Sequence, residues 1–190
     1  CGYDYQCSYG DQGEYVQFYK DQVKNADILI YAGTIQDRYL SSRWKMFFDR
    51  SFFHTHTPSL TEKQVGFILS GPLRQIPNLR QILEAYTEWQ QANLVDIVTD
   101  EEEGSHELDA RLQHLAERVI HLAEKNYIKP KTFLGVGGMK IFRDDVWGKL
   151  RFPFQADHQF YKKHNLYDFP QRKYKTRAIN SILILLTKIP

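Results

Sequence analysis

The sequence predicts an α/β domain: an open parallel sheet with helices on both faces. Short apolar runs alternate with amphipathic helical segments along the first two thirds of the chain. The runs are continuous rather than alternating and close on turn residues, which is the pattern of parallel strands buried on both faces. Their order is helix–strand–helix–strand–helix–strand–helix, which an open parallel sheet accommodates.

Glu14 to Asn25 is the first helical candidate, followed by the apolar run Asp27 to Ala32, which ends at Gly33. Ser41 to Ser51 sets Trp44, Phe47 and Phe48 on one helical face. The run Gln64 to Ser70 ends at Gly71-Pro72. Asn78 to Asn93, with Pro77 just ahead, spaces Leu79, Ile82, Leu83, Tyr86 and Trp89 as a helix does. Leu94 to Thr99 is a third strand, ending in an acidic turn. Ser105 to Lys125 is the clearest helix. Its apolar residues Leu108, Leu112, Leu115, Val119 and Leu122 step by four and three, with Ser105 as the expected N-cap and Glu107 in the first turn.

The pattern changes at Pro130. Thr132 to Gly138 is glycine-rich and reads as a tight turn, followed by a helix over Met139 to Leu150. Pro153 interrupts, Gln155 to His164 reads as helical, Pro170 breaks again, and Arg172 to Leu186 is basic on one side and apolar on the other. Residues 1–129 are thus expected to form the α/β domain, and 130–190 an aromatic-rich extension that wraps it or reaches a second subunit. The charge supports this division. Residues 1–129 carry 13 Lys+Arg against 19 Asp+Glu, net −6, whereas 130–190 carry 12 against 4, net +8.

Composition excludes several classes. Of the 190 residues 42% are hydrophobic and 14% aromatic, which argues against disorder. The longest apolar run, Ile182 to Leu186, is far too short to span a bilayer. Two cysteines do not make a disulfide-rich scaffold, and a net charge of +2 does not mark a nucleic-acid binder.

Open parallel sheets bind ligands outside the carboxyl ends of their strands. The two candidate segments are Ala32 to Ser42 and Ser70 to Pro77, both polar and long enough to cradle a planar ligand.

The stretch ADILIYAGTIQDRYLSSRWKMFFDR, Ala26 to Arg50, resembles the third strand, flavin loop and following helix of the flavodoxin-like NAD(P)H-dependent FMN reductases. Ala26-Asp27, Ser41, Lys45 and Asp49-Arg50 fit the family's spacing without a gap. Thr34, Gln36 and Arg38 stand where the family has Pro, Tyr and Gly. The stretch Ala156 to Gln171 resembles the C-terminal extension of a subgroup near the iron–sulfur flavoproteins. The resemblance implies a flavodoxin-like sheet from its third strand onward, with the family's first strand and hydroxyl-rich phosphate-binding loop lying upstream of residue 1. It implies FMN at Thr34, Ile35, Gln36, Tyr39 and Leu40, with Ser70, Gly71 and Pro72 at the ring's other edge. NAD(P)H would be the co-substrate. Cys1 and Cys7, spaced C-x5-C, match the last two thiolates of the subgroup's [4Fe–4S] quartet.

The expected function is an FMN-dependent NAD(P)H oxidoreductase that passes hydride to a small acceptor of the quinone or nitro type. The alternatives are an electron-transfer module and a non-enzymatic flavodoxin-like binding protein. A cytoplasmic homodimer joined through residues 130–190 is expected, with no nucleic acid and no membrane span. His54 and His56 form a His-x-His pair that reads as a solvated loop, and the acidic run Asp100 to Glu103 as a solvated turn. There is no G-x-S-x-G and no Ser–His–Asp or Cys–His set.

Overall fold

The computed structural model describes residues 2–6, 14–101 and 104–188. The chain forms two units. A sheet unit comprises Tyr15–Ser51 and Pro58–Val136, and a helical unit comprises Cys1–Glu14, Phe52–Thr57 and Gly137–Pro190.

The sheet unit is α/β. Its strands are β1 (Ile28–Gln36), β2 (Tyr39–Leu40), β3 (Gln64–Ser70) and β4 (Asn93–Thr99), in the spatial order β2-β1-β3-β4. β1, β3 and β4 run parallel, while β2 folds back antiparallel on the end of β1. The parallel strands lie in chain order, as do the third to fifth strands of a flavodoxin-like sheet.

β3 is central, and Val65, Phe67 and Leu69 along it are at most 1% exposed. That burial accounts for its uninterrupted apolar sequence. Replacing Phe67 by Ala would cost about 3–5 kcal/mol on general grounds.

Successive side chains of a strand point to opposite faces, and each face has its own helices. On one face, Leu115 and Val119 of α4 (Ser105–Glu124) pack with Val95 and Val98 of β4, joined by Ile28 and Ile68. On the other face, Tyr31 stacks on Phe67 with ring centroids 5.3 Å apart. It meets Trp44 and Phe47 of α2 (Ser42–Ser51) edge-on at 5.6 and 5.9 Å. Phe48 of α2 continues the cluster to Tyr86 of α3 (Pro77–Trp89) at 4.7 Å. A short α1 (Tyr15–Phe18) runs into a wider helical turn over Tyr19–Val23, and Tyr15 donates to the carbonyl of Phe47 at 2.8 Å. Among the described residues, no strand pairs with the outer edge of β1 over Ile28 to Gly33.

The helical unit contains α5 (Phe133–Trp147) from Gly137 onward, α6 (Gln155–Lys163), α7 (Tyr174–Leu186) and the segment Phe52–Thr57. Tyr161 and Val146 are fully buried in it. The His56 ring packs on Phe142 and Phe154, at 4.7 and 4.5 Å, and Trp147 meets Tyr167 at 5.0 Å. The aromatic content of the extension is therefore packed largely within the unit itself. Phe133, Tyr174 and Phe169 are exceptions, at 88%, 64% and 49% exposure.

Three local expectations are corrected. The glycine-rich run Gly135 to Gly138 lies within α5 and is not a turn. Glu88 of α3 accepts from Thr132 N, Thr132 Oγ1 and Gly135 N at 2.9, 2.8 and 3.0 Å, so that a distant carboxylate caps the helix. The N-cap of α4 is Gly104, with Ser105 already helical. The expected loop Ala32 to Ser42 is mostly a β-hairpin. Asp37 and Arg38 both take positive φ, 47° and 66°, which matches the twist of a two-residue turn.

Candidate functional site

The carboxyl ends of β1 and β3 meet as expected of a parallel sheet. Thr34 and Ser70 are registered neighbours, and the pairing of β1 with β2 places Ile35 beside Leu40 and Gln36 beside Tyr39. Thr34, Gln36, Ser70 and Pro72 are exposed, and Ile35, Tyr39 and Gly71 are half-buried. Leu40 is 4% exposed, so it supports the hairpin from inside and presents no surface to a ligand.

Gly71 connects the two segments. Its φ is +121°, and a Cβ there would stand 3.0 Å from Cβ of Ile35. Only glycine takes this backbone without strain, which leaves a bare shelf beside Ile35. At Gly33 a Cβ would fall 2.0 Å from Nε1 of Trp44, so the indole lies directly on the strand. Burial pushes the Tyr39 phenol up, Lys45 pulls it back, and Asp49 adds to the rise.

Asp100 and Glu101, the described residues of the acidic run, stay exposed and half-buried as a solvated turn would, and they also bond to the loop after β3. Ser70 Oγ donates to Asp100 at 2.6 Å, Gly71 N donates to it at 2.8 Å, and Arg74 N donates to Glu101 at 3.0 Å. The Ser70 hydroxyl and the Gly71 N–H hold the Asp100 carboxyl below the usual carboxylate range. The strand pairing accounts for this. β4 lies parallel to β3, so the residues after β4 emerge beside the loop after β3.

A flavin would find half of what it needs here. The bare backbone at Gly71, the side chain of Ile35 and the half-buried Tyr39 are the surfaces that would face the edge of a planar ring. Phosphate needs several free N–H donors, and those of Gly71 and Arg74 are already bonded to carboxylates. Cys1 and Cys7 lie outside the described residues. Among the described residues no three His, Cys, Asp or Glu side chains are grouped to hold a metal ion. The reading of His54 and His56 as a solvated loop is corrected: His56 is 7% exposed and turns inward to Asp157, with Thr55 and Thr57 buried beside it.

A cavity of about 510 Å³ opens at the other end of the sheet, lined by Asp27, Lys63, Gln64, Ile120, Glu124 and Asn126 among others. There Gln64 Nε2 donates to the carbonyl of Tyr127 at 2.9 Å, and Lys63 Nζ donates to the carbonyl of Ala26.

No family model matches the chain. No curated protein matches it either. Among solved structures, the Trp repressor binding protein from Bacillus subtilis aligns at 21% identity with a TM-score of 0.43, over 57% of this chain and 72% of its own. No helix of the described residues is long and apolar enough to cross a membrane.

Proposed function

We propose that this chain carries the ring-side half of a flavin site and serves an FMN-dependent NAD(P)H oxidoreductase acting on small quinone or nitro acceptors. The supporting observation is the bare backbone shelf at Gly71, set against Ile35 at the carboxyl end of a parallel sheet. Thr34, Gln36 and Ser70 would supply polar side chains at the ring edge, Ile35 and Tyr39 its apolar contacts, and Gly71 and Pro72 its rim. FMN, when bound, supplies the hydride and electron chemistry. The residues of the chain hold and orient the ring and set the charge beside it, where Asp100 contributes a carboxylate. A homodimer through residues 130–190 belongs to the same reading. Phe133 and Ile141, 88% and 64% exposed, are the side chains there that a second copy would cover.

A non-enzymatic, flavodoxin-like binding protein is the second reading. Asp100 favours it, because that carboxylate takes the Ser70 and Gly71 donors that a ligand would otherwise use.

Fluorescence titration with riboflavin and FMN in parallel tests the proposal. It expects saturable binding of both, with similar affinity, since the backbone N–H groups of Gly71 and Arg74 are already taken by carboxylates. Binding of neither would overturn it in favour of the second reading. A preference for FMN of roughly tenfold or more, about 1.4 kcal/mol, would place a phosphate site within these residues and overturn the half-site account.

A further inference from the structure

α7 is inside out. Arg177 and Asn180, three apart, lie on the side of α7 turned into the helical unit, with the N-cap residue Lys173 in line ahead of them. Lys173 Nζ lies 3.2 Å from Asp145, and the Arg177 guanidinium sits 3.8 Å over the Trp147 ring. Asn180, the one buried residue of the helix, accepts from Phe152 N at 3.1 Å and donates to the carbonyl of Thr176 at 3.0 Å. The opposite side is apolar and faces outward. Ile179, Ile182, Leu183 and Leu186, spaced three, one and three apart, are 50%, 58%, 39% and 57% exposed, and Leu185 beside them is 63% exposed. A helix at the surface of a globular unit normally buries its apolar stripe. Five large aliphatic side chains turned outward on less than three turns make a contiguous patch of the kind that marks an interaction surface.

Charge decides what would cover it. From Arg172 to Lys188 the chain has five basic residues and no acidic one. Lys175 and Lys188 bracket the apolar stripe, and Tyr174 at its start is 64% exposed. A second copy of this helix would bring the same positive charge to the contact. An anionic surface with an apolar layer beneath would satisfy both halves of the pattern. The helix has 13 residues, about 20 Å at 1.5 Å per residue, against a hydrocarbon core of about 30 Å, so it lies along a bilayer and does not span one.

We propose that α7 docks the chain on an anionic lipid bilayer, with Ile179, Ile182, Leu183 and Leu186 at the acyl boundary and Lys175 and Lys188 among the headgroups. This goes beyond the flavin reading and is independent of it.

Co-sedimentation of the full chain with vesicles tests the proposal. The probes are phosphatidylcholine vesicles with and without phosphatidylserine, at low and high salt. The expected result is pelleting with the phosphatidylserine vesicles, at least several-fold above the neutral ones and reduced by salt. The double variant Ile182→Asp, Leu186→Asp should lose it. Both side chains are exposed, so circular dichroism should show the variant folded as the parent. Failure to pellet with either vesicle, or pelleting unchanged in the double variant, would overturn the proposal. So would a lipid-free dimer that the double variant converts to monomer, because a second copy would then be the occupant.

Discussion

His56 donates its Nδ1–H to Asp157 Oδ2 at 2.8 Å across 101 residues of sequence, and Asp157 has no exposed surface at all. The same carboxylate accepts the His56 backbone N–H at 3.3 Å and the Thr55 hydroxyl, and Tyr161 donates to the carbonyl of His56. One buried acid thus ties the segment Phe52–Thr57 to α6.

Removing that acid leaves the His56 amide and ring N–H without a partner, while the Thr55 hydroxyl keeps the His54 carbonyl at 2.8 Å. Asp157→Ala should destabilise the helical unit by roughly 2–4 kcal/mol, the range for breaking a buried, hydrogen-bonded charge. Urea unfolding followed by near-ultraviolet circular dichroism measures it. A loss under about 0.5 kcal/mol would show that the donors find other partners.

Glu88→Ala removes the cap of α5. The expected cost is about 1–2 kcal/mol, with fraying confined to the first turn of that helix. Hydrogen exchange at the amides of Leu134 and Gly135 should speed up, while exchange in β3 stays unchanged. Equal acceleration in both would mean that Glu88 supports the whole sheet unit.

His158 gives a pH dependence with a definite sign. Burial lowers its pKa to about 4, and the cations Arg151, Arg177 and Lys162 push the same way. The ring also shares a 2.8 Å hydrogen bond with the Tyr167 hydroxyl. The unfolded chain takes up its proton near pH 6.5, so it binds more protons than the fold does below that value. The stabilisation is complete above about pH 6.5 and declines as pH falls toward 4. Urea midpoints at pH 7 and pH 5 should differ less in His158→Gln than in the parent. Equal slopes in the two proteins would contradict this.

Gly71→Ala separates the shelf from the rest of the fold. A Cβ at φ +121° is strained by about 1–3 kcal/mol and projects against Ile35. Riboflavin binding should fall at least tenfold, while the far-ultraviolet spectrum is kept. Asp100→Asn should keep the Ser70 contact and remove the charge beside the ring. Unaltered riboflavin affinity in Gly71→Ala would remove the shelf from the site.

Much of the sheet unit was legible in sequence because its signals are local. β3 and α4 follow from a continuous apolar run and a four–three apolar spacing, and burial confirms both. The β1–β2 hairpin was not legible. Its turn is Asp37-Arg38, without the Asn-Gly or Asp-Gly that announces positive φ at two positions. The start of α5 was hidden for another reason. Its cap is Glu88, 44 residues before Thr132, and no window along the chain joins the two. At the candidate site, Ser70 and Gly71 were readable from the strand end. Asp100 required knowing that β4 pairs with β3.

The helical unit is assembled from pieces on either side of the sheet unit's sequence, with Phe52–Thr57 interrupting it. On a ribosome these pieces emerge far apart in time. A nascent chain released as far as Val136 would have every strand of the sheet but none of α6. His56 would then wait, with its amide, its ring and the Thr55 hydroxyl lacking their carboxylate, until Asp157 was synthesised. At about 5–20 residues per second the 101 residues between them take about 5–20 s. Closure of the helical unit is therefore a late, non-local step in biosynthesis, and the hexapeptide Phe52–Thr57 stays without its buried acid in the interval.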